Sequence, residues 1–254
     1  MNQHLLDLPM PARADGRHPT RTSEHYTFVP TERVCQELIT HGWKVSNVVT
    51  TKPKAADRQG FQKHMVRFRR QDEKNDIKVG DSIVEMLAIN SHDATTSWRL
   101  FGGIFRMVCS NGMVVSDLSF PGIRLPHKGN LEDIINASME VADKLPGLVE
   151  IVNGMQRTML TPVQQADLAA QAIALRHGPK TTVDVSTVLR LNRPEDDGRD
   201  LWRTFNTIQE NIMHGGGIGQ SENGDFRRLR PVRGMDKNLE VNTGLWDLAV
   251  GMVR

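Results

Sequence analysis

Nine histidines are scattered along the chain (His4, His18, His25, His41, His64, His92, His127, His177 and His214). None falls in H-x-H, H-E-x-x-H or a Cys/His quartet, the spacings that bring several ligands to one metal ion. His92-Asp93, in a polar loop after an expected strand, is the most ligand-like pair. The same stretch, with Asn90 and Ser91, also suits a turn closed by side-chain hydrogen bonds, which is the simpler account. Asp81 and Glu85 lie four apart on an expected strand and so share a face, as the carboxylates of a metal-dependent nuclease do. Met86, Leu87 and Ala88 follow Glu85, however, so the usual Glu-x-Lys step is missing. There is no G-x-S-x-G and hence no nucleophile elbow. His214-Gly-Gly-Gly-Ile-Gly-Gln220 has the composition of a phosphate loop, but its glycines follow a helix and no Gly-Lys-Ser/Thr ends it. A glycine-capped helix exit is expected there. The sequence assigns no catalytic residue, metal or cofactor.

Positive charge is more suggestive. Lys63, Arg67, Arg69 and Arg70 fall within eight residues that contain no acid. Arg67 and Arg69 share one face of an expected strand, with Val66 and Phe68 on the other. A second cluster, Phe226-Arg-Arg-Leu-Arg-Pro-Val-Arg-Gly-Met-Asp-Lys237, carries Arg227, Arg228, Arg230 and Arg233 against one acid. Strand-borne arginines beside a basic loop suit a nucleic-acid groove, because each phosphate neutralised releases counterions. Arg99 and Arg106, near Trp98 and Phe105, are candidates for cation–π or stacking contacts. A basic arm with Arg13, Arg17 and Arg21 points the same way. The alternative is a solvated sheet face whose arginines pair with the abundant acids of the helices.

The whole chain sets bounds on these readings. At 254 residues, 38% hydrophobic and 24% charged, it is neither collagen-like, mucin-like nor wholly disordered. With 32 basic and 30 acidic residues the formal charge is +2, so any nucleic-acid surface must arise by clustering. Only Cys35 and Cys109 are present, in unrelated contexts, and two buried thiols in a reducing compartment are expected. Met1 to Thr27 lacks the apolar run of a secretory signal, and no stretch nears the ~18 apolar residues of a membrane span.

Residues 1–27 read as a flexible arm, and 28–254 as a single α+β domain, sheet-rich over 28–125 and helix-rich over 126–254. A helix is expected from Thr31, capped near Gly42, followed by strands at 43–51, 61–70, 81–90, 98–110 and 113–116. Asn111-Gly112 between two apolar runs predicts a two-residue hairpin turn. Gly102-Gly103 within the preceding run suggests a bulge, a break or a close backbone approach. After Pro126 apolar residues recur at helix spacing, with a kink possible near Pro146-Gly147. Helices are expected over 130–160, 162–176, 183–191, 200–214 and 241–253. The pattern is an N-terminal antiparallel sheet of about five strands followed by a helical C-terminal half.

Several of these segments are familiar. Phe105-Arg-Met-Val-Cys-Ser-Asn-Gly-Met113 resembles the central signature of the phage/plasmid-like proteins grouped as domain of unknown function 932. Asn90-Ser-His-Asp-Ala94 resembles that family's loop. Leu201-Trp-Arg-Thr-Phe-Asn-Thr-Ile-Gln-Glu210 with Gly215-Gly216, and Asn242-Thr-Gly-Leu-Trp246, are similar to its C-terminal pattern. The resemblance runs from about residue 28 to the end. It implies a mobile-element protein in a bacterial cytoplasm and transfers no catalytic residue.

The expectation is thus a DNA-associated protein, a single-stranded DNA binding or recombination accessory factor, contacting DNA through Lys63, Arg67, Arg69, Arg70, Arg99, Arg106, Arg227, Arg228, Arg230 and Arg233. One alternative is an interaction protein that inhibits a host defence system. Another is a metal-dependent, nuclease-like enzyme using Asp81, Glu85, His92 and Asp93. The long apolar faces over 130–176 also leave room for homo-oligomers.

Overall fold

The computed structural model describes residues 8–70, 78–79, 82–106, 112–115, 122–128 and 130–253. The chain divides into two compact units, Met1–Val149 and Glu150–Arg254.

In the first unit, helix α1 (Thr31–Thr40) follows Pro30 and places Glu32 in its first turn. Val34, Cys35 and Leu38 recur on one side and are buried. Gly42, at φ +82°, carries the chain out of the helix in a conformation that suits glycine. The sheet consists of β1 (Trp43–Thr50), β2 (His64–Arg70), β3 (Lys78–Val79), β4 (Ser82–Asn90), β5 (Trp98–Arg106), β6 (Gly112–Val115) and β7 (Ile123–Leu125). Its spine runs β1-β2-β4-β5-β6, with β3 added to β4 and β7 to β5, and every pairing is antiparallel. The expected five-stranded meander is therefore present. All nine residues of central β4 are buried. In β2 Val66 and Phe68 are buried and Arg67 and Arg69 half-buried, the alternation that a period of two dictates.

Two local expectations are corrected. Gly112 pairs with Phe105 inside the β5–β6 ladder, so it is not the second residue of a two-residue turn; Asn111 lies outside the described residues. The register is set by the ladder from Gly102–Val115 to Phe105–Gly112, which outweighs a local dipeptide preference. Gly102 and Gly103 continue the ladder on both sides without a bulge. Gly103 stands directly opposite Glu85, so the neighbouring strand offers that carboxylate no side chain.

Helix α2 (Leu131–Arg157) begins in the first unit and ends in the second, and Pro146 lies within it without ending it. Ile134, Val141, Leu145, Leu148, Val152 and Met155 recur at helix spacing and are buried.

The second unit contains α3 (Pro162–His177), β8 (Thr181–Val183), α4 (Val185–Val188), α5 (Leu201–His214), β9 (Ile218–Ser221), β10 (Phe226–Arg228) and α6 (Met235–Val250). Thr161 and Gln164 form a capping box at the start of α3, with Pro162 in the first turn. Helix α6 starts about six residues earlier than its apolar pattern indicates, directly after Gly234 and with Asp236 in its first turn. Phe205, Ile208 and Ile212 of α5 are buried, as are Leu245, Trp246 and Ala249 of α6, and the rings of Phe205 and Trp246 meet edge-on at 6.1 Å. The C-terminal motif residues therefore build this core. Gln209 Nε2 donates to Asn242 Oδ1 (2.9 Å), and Asn211 Nδ2 donates to the Val188, Arg190 and Thr207 carbonyls. Among the described residues no helix is long and apolar enough to cross a membrane.

Candidate nucleic-acid interface

The second basic cluster lies on a small antiparallel sheet, β10-β9-β8. Phe226 pairs with Gln220, Arg227 with Gly219 and Arg228 with Ile218. The turn between them contains Asn223-Gly224, with Gly224 at φ +86° and its N–H donating to the Ser221 carbonyl (2.9 Å). Three residues then separate Ser221 from Asp225, whose carbonyl accepts from the Ser221 N–H, an arrangement that needs a left-handed residue at its third position.

The glycines after α5 press this ribbon against the helix end. A Cβ on Gly215 (φ +65°) would lie 2.8 Å from the Leu229 carbonyl oxygen, and one on Gly217 would lie 2.1 Å from the Thr187 side chain. The glycine-capped helix exit is present, at Gly215. The glycine run also permits the backbone approach that seats Leu229 and Arg230, with Gly216 N–H donating to the Leu229 carbonyl (2.9 Å).

The result is a groove of about 1010 Å³. Arg176, His177, His214, Arg227, Arg228 and Arg230 line it, and among the described residues no acid does. Arg176 and His177 form the last turn of α3 and His214 the last residue of α5, the helix ends that favour cations. Arg227, Arg228 and Arg230 are exposed. Arg176 Nη2 donates to the Arg230 carbonyl (3.4 Å), whereas its buried Nε has no hydrogen-bond partner among the described residues. Burial, reinforced by the charges of Arg176 and Arg227, holds the His177 imidazole down at about 4, so the ring is neutral at pH 7. The groove is thus a concave surface with three exposed guanidiniums and one partly satisfied guanidinium, a chemistry suited to phosphate oxygens.

The other arginines are placed differently. Arg67 Nε donates to Glu85 Oε2 at 2.6 Å, and Arg69 Nε and Nη2 reach Glu85 Oε1 at 2.8 Å. Glu85 is fully buried between them, so these two guanidiniums neutralise an interior carboxylate. Arg70 stacks over Trp43, its cross-strand neighbour, at 5.1 Å. Arg99 is half-buried opposite Arg124 on β7, Lys63 is half-buried before β2, and Arg106 ends β5 opposite Ser82. Trp98 is 1% exposed and so cannot present a ring to a base. Arg233 is exposed but does not line the groove. Three arginines of the second cluster, Arg227, Arg228 and Arg230, therefore converge, whereas Arg67, Arg69 and Arg70 of the first are occupied within the sheet.

The arm residues also make contacts. Leu8, Ala12 and His18 are buried, Arg17 Nη1 donates to the Ser23 and Tyr26 carbonyls, and Arg21 pairs with Asp57 at 3.0 Å. His92 and Asp93 belong to a buried polar cluster at the ends of β2 and β4. His64 Nδ1 faces the Gln62 carbonyl (3.0 Å), so it carries the proton and Nε2 accepts from Thr31 Oγ1 (2.9 Å). Asn90 Nδ2 in turn donates to Thr31 Oγ1 (2.9 Å), and His92 Nε2 lies 3.4 Å from it. Asp93 Oδ1 accepts from the Thr95 N–H and hydroxyl, the expected turn bonds. Asp81 lies outside the described residues. Among the described residues no three His, Cys, Asp or Glu side chains are grouped to hold a metal ion. Burial raises the Cys35 thiol to about 12; Cys109 lies outside the described residues.

Reading the sequence missed Arg176, His177 and His214 as groove residues, and missed β8, β9 and β10 altogether. One available signal was Asn223-Gly224, the same turn dipeptide read at 111–112, here between Ile218–Ser221 and Phe226–Arg228.

Comparison with known proteins is consistent across the chain. No solved structure matches it. The chain is 34% identical over 242 residues to UPF0380 protein YafZ of Escherichia coli (strain K12), covering 94% of this chain and 86% of that one. It is 34% identical over 241 residues to UPF0380 protein YfjQ of the same organism, covering 93% and 85%. The profile described as Domain of unknown function (DUF932) matches residues 20–246, a span that takes in the loop, central and C-terminal motifs, and the chain belongs to that family.

Proposed function

We propose that this protein binds DNA as an accessory factor of the single-strand-binding or recombination kind, holding the phosphate backbone in the groove of the second unit. The observation that carries the reading is the convergence of Arg176, Arg227, Arg228 and Arg230 on one concave surface with no lining acid among the described residues. At a formal charge of +2 the chain has no bulk excess to attract polyanions, so affinity must come from such a cluster. Each phosphate engaged releases counterion, which ties affinity to salt with a slope of about 0.7–0.9 per contact.

The test is a salt titration with a labelled oligonucleotide. The wild-type protein binds at low salt and weakens linearly in log–log form, and the Arg227→Ala/Arg230→Ala variant loses affinity and about two units of slope. No binding at low salt, or binding that salt leaves unchanged, overturns the proposal.

A further inference from the structure

Phe226 is a large apolar side chain left 73% exposed at the start of a strand whose next two residues are arginines. Strand alternation puts Phe226 and Arg228 on one face of the β10-β9-β8 sheet and Arg227 on the other. The cross-strand partners of Phe226 and Arg228 are Gln220 and Ile218, and Gln220 is in turn opposite Thr182. Ile218 is itself 63% exposed, so the face presents an aromatic ring, a branched aliphatic side chain and a guanidinium side by side. The opposite face carries Arg227, whose cross-strand partner is Gly219, and turns toward the groove: a Cβ on Gly219 would lie 2.9 Å from Leu229 and 3.2 Å from Thr181, and both of these line the groove. Arg228 joins this face to the groove, since it also lines the groove beside Arg227 and Arg230.

We propose that Phe226 is a stacking platform for an unpaired base of single-stranded DNA, with Ile218 as the apolar floor beside it. The proposal rests on the phosphate-binding reading of the groove and adds to it the part of the ligand that a duplex hides. A flat ring with a guanidinium two residues along the same face suits a nucleotide: the base covers the apolar ring while the next phosphate meets Arg228 and the chain continues to Arg230 in the groove. Every base has a π-face, so such a platform tolerates any sequence but requires the base to be out of its pair. A second copy of this chain would cover Ile218 and Phe226 only by bringing the two sets of arginines together, so charge complementarity favours the polyanion.

The test compares an oligothymidylate and a duplex of equal length on full-length wild-type protein and on Phe226→Ala, Phe226→Trp and Arg227→Ala/Arg230→Ala variants. Phe226→Ala, which removes an exposed side chain and leaves the melting temperature unchanged, should weaken single-strand binding by about 5- to 100-fold. Its salt slope should match wild type, and duplex affinity should not move. Phe226→Trp should keep the affinity, and stacking should quench the introduced indole. Single-strand affinity within twofold of wild type for Phe226→Ala, equal losses for both ligands, or a changed salt slope overturns the platform. So does a wild-type dimer in sedimentation that Phe226→Ala converts to monomer with DNA affinity intact. The groove reading fails separately, by the arginine variant leaving affinity and slope unchanged.

Discussion

Glu85 offers the sharpest test of how the sheet holds its charges. Its carboxylate is fully buried, accepts from Arg67 at 2.6 Å and Arg69 at 2.8 Å, and stands across from Gly103, which supplies no further partner. The two arginine side chains are 14% and 27% exposed, so Arg67 has less access to water to replace the lost bond. A hydrogen bond to a charged group contributes roughly 1.5–3 kcal/mol net. Arg69→Ala should therefore cost about 1–2 kcal/mol and Arg67→Ala about 2–3 kcal/mol. Losing both leaves a buried carboxylate without either guanidinium, and the double variant should exceed the sum of the singles by about 1 kcal/mol. The decisive variant is Glu85→Gln. In the wild-type background it leaves two half-buried guanidiniums facing a neutral amide and destabilises by about 2–3 kcal/mol. In the Arg67→Ala/Arg69→Ala background the same change removes an uncompensated charge and stabilises. Urea unfolding monitored by amide exchange in first-unit peptides reads both effects. A Glu85→Gln effect of the same sign and size in the two backgrounds refutes the reasoning. Folded arginine variants of this sheet should also retain the oligonucleotide salt slope, because the groove cations lie elsewhere.

Acid should loosen the first unit through His64 and His92. Burial lowers both rings, to about 4 and about 3, against about 6.5 in the unfolded chain. The unfolded chain thus takes up protons first, and stability present above pH 6.5 is lost as pH falls through the folded values. Over the 1.5 units from pH 6.5 to 5 each ring loses about 2 kcal/mol, together about 3–4 kcal/mol, and a urea midpoint that stays flat between pH 7 and 5 contradicts this. Gly215→Ala should cost about 1–3 kcal/mol and weaken DNA binding, because φ +65° with ψ −147° strains any other residue and the new Cβ meets the Leu229–Arg230 backbone. Gly234→Ala, at φ +85° with open space around the new Cβ and outside the groove lining, should reduce stability while sparing affinity; equal affinity losses for the two variants in melting and titration assays argue against the packing role.

Much of the fold was legible because its signals are local. Alternation marks β2, apolar spacing marks α2 and α5, and Thr161-Pro162 marks the start of α3; each depends on residues a few positions apart. The short strands β8 and β10, three residues each, carry too few positions for a period to show, and Gly219 interrupts β9. Residues 8–27 look polar along the chain, yet they bury Leu8, Ala12 and His18, a choice visible only once β4 ends beside them and the His92 carbonyl accepts the His18 N–H (2.7 Å).

The sequence alone determined that this chain builds an antiparallel sheet followed by helices, and that its positive charge gathers in two clusters. Which cluster meets solvent was decided by tertiary structure. Pairing β2 with β4 places a buried glutamate, 16 residues from Arg69, under two of the first cluster's three guanidiniums. Close glycine packing after α5 brings Arg230 beside Arg176, 54 residues away in sequence. Charge along a chain is a property of composition, whereas its compensation depends on which distant side chains share a low-dielectric space, and only the folded backbone sets that.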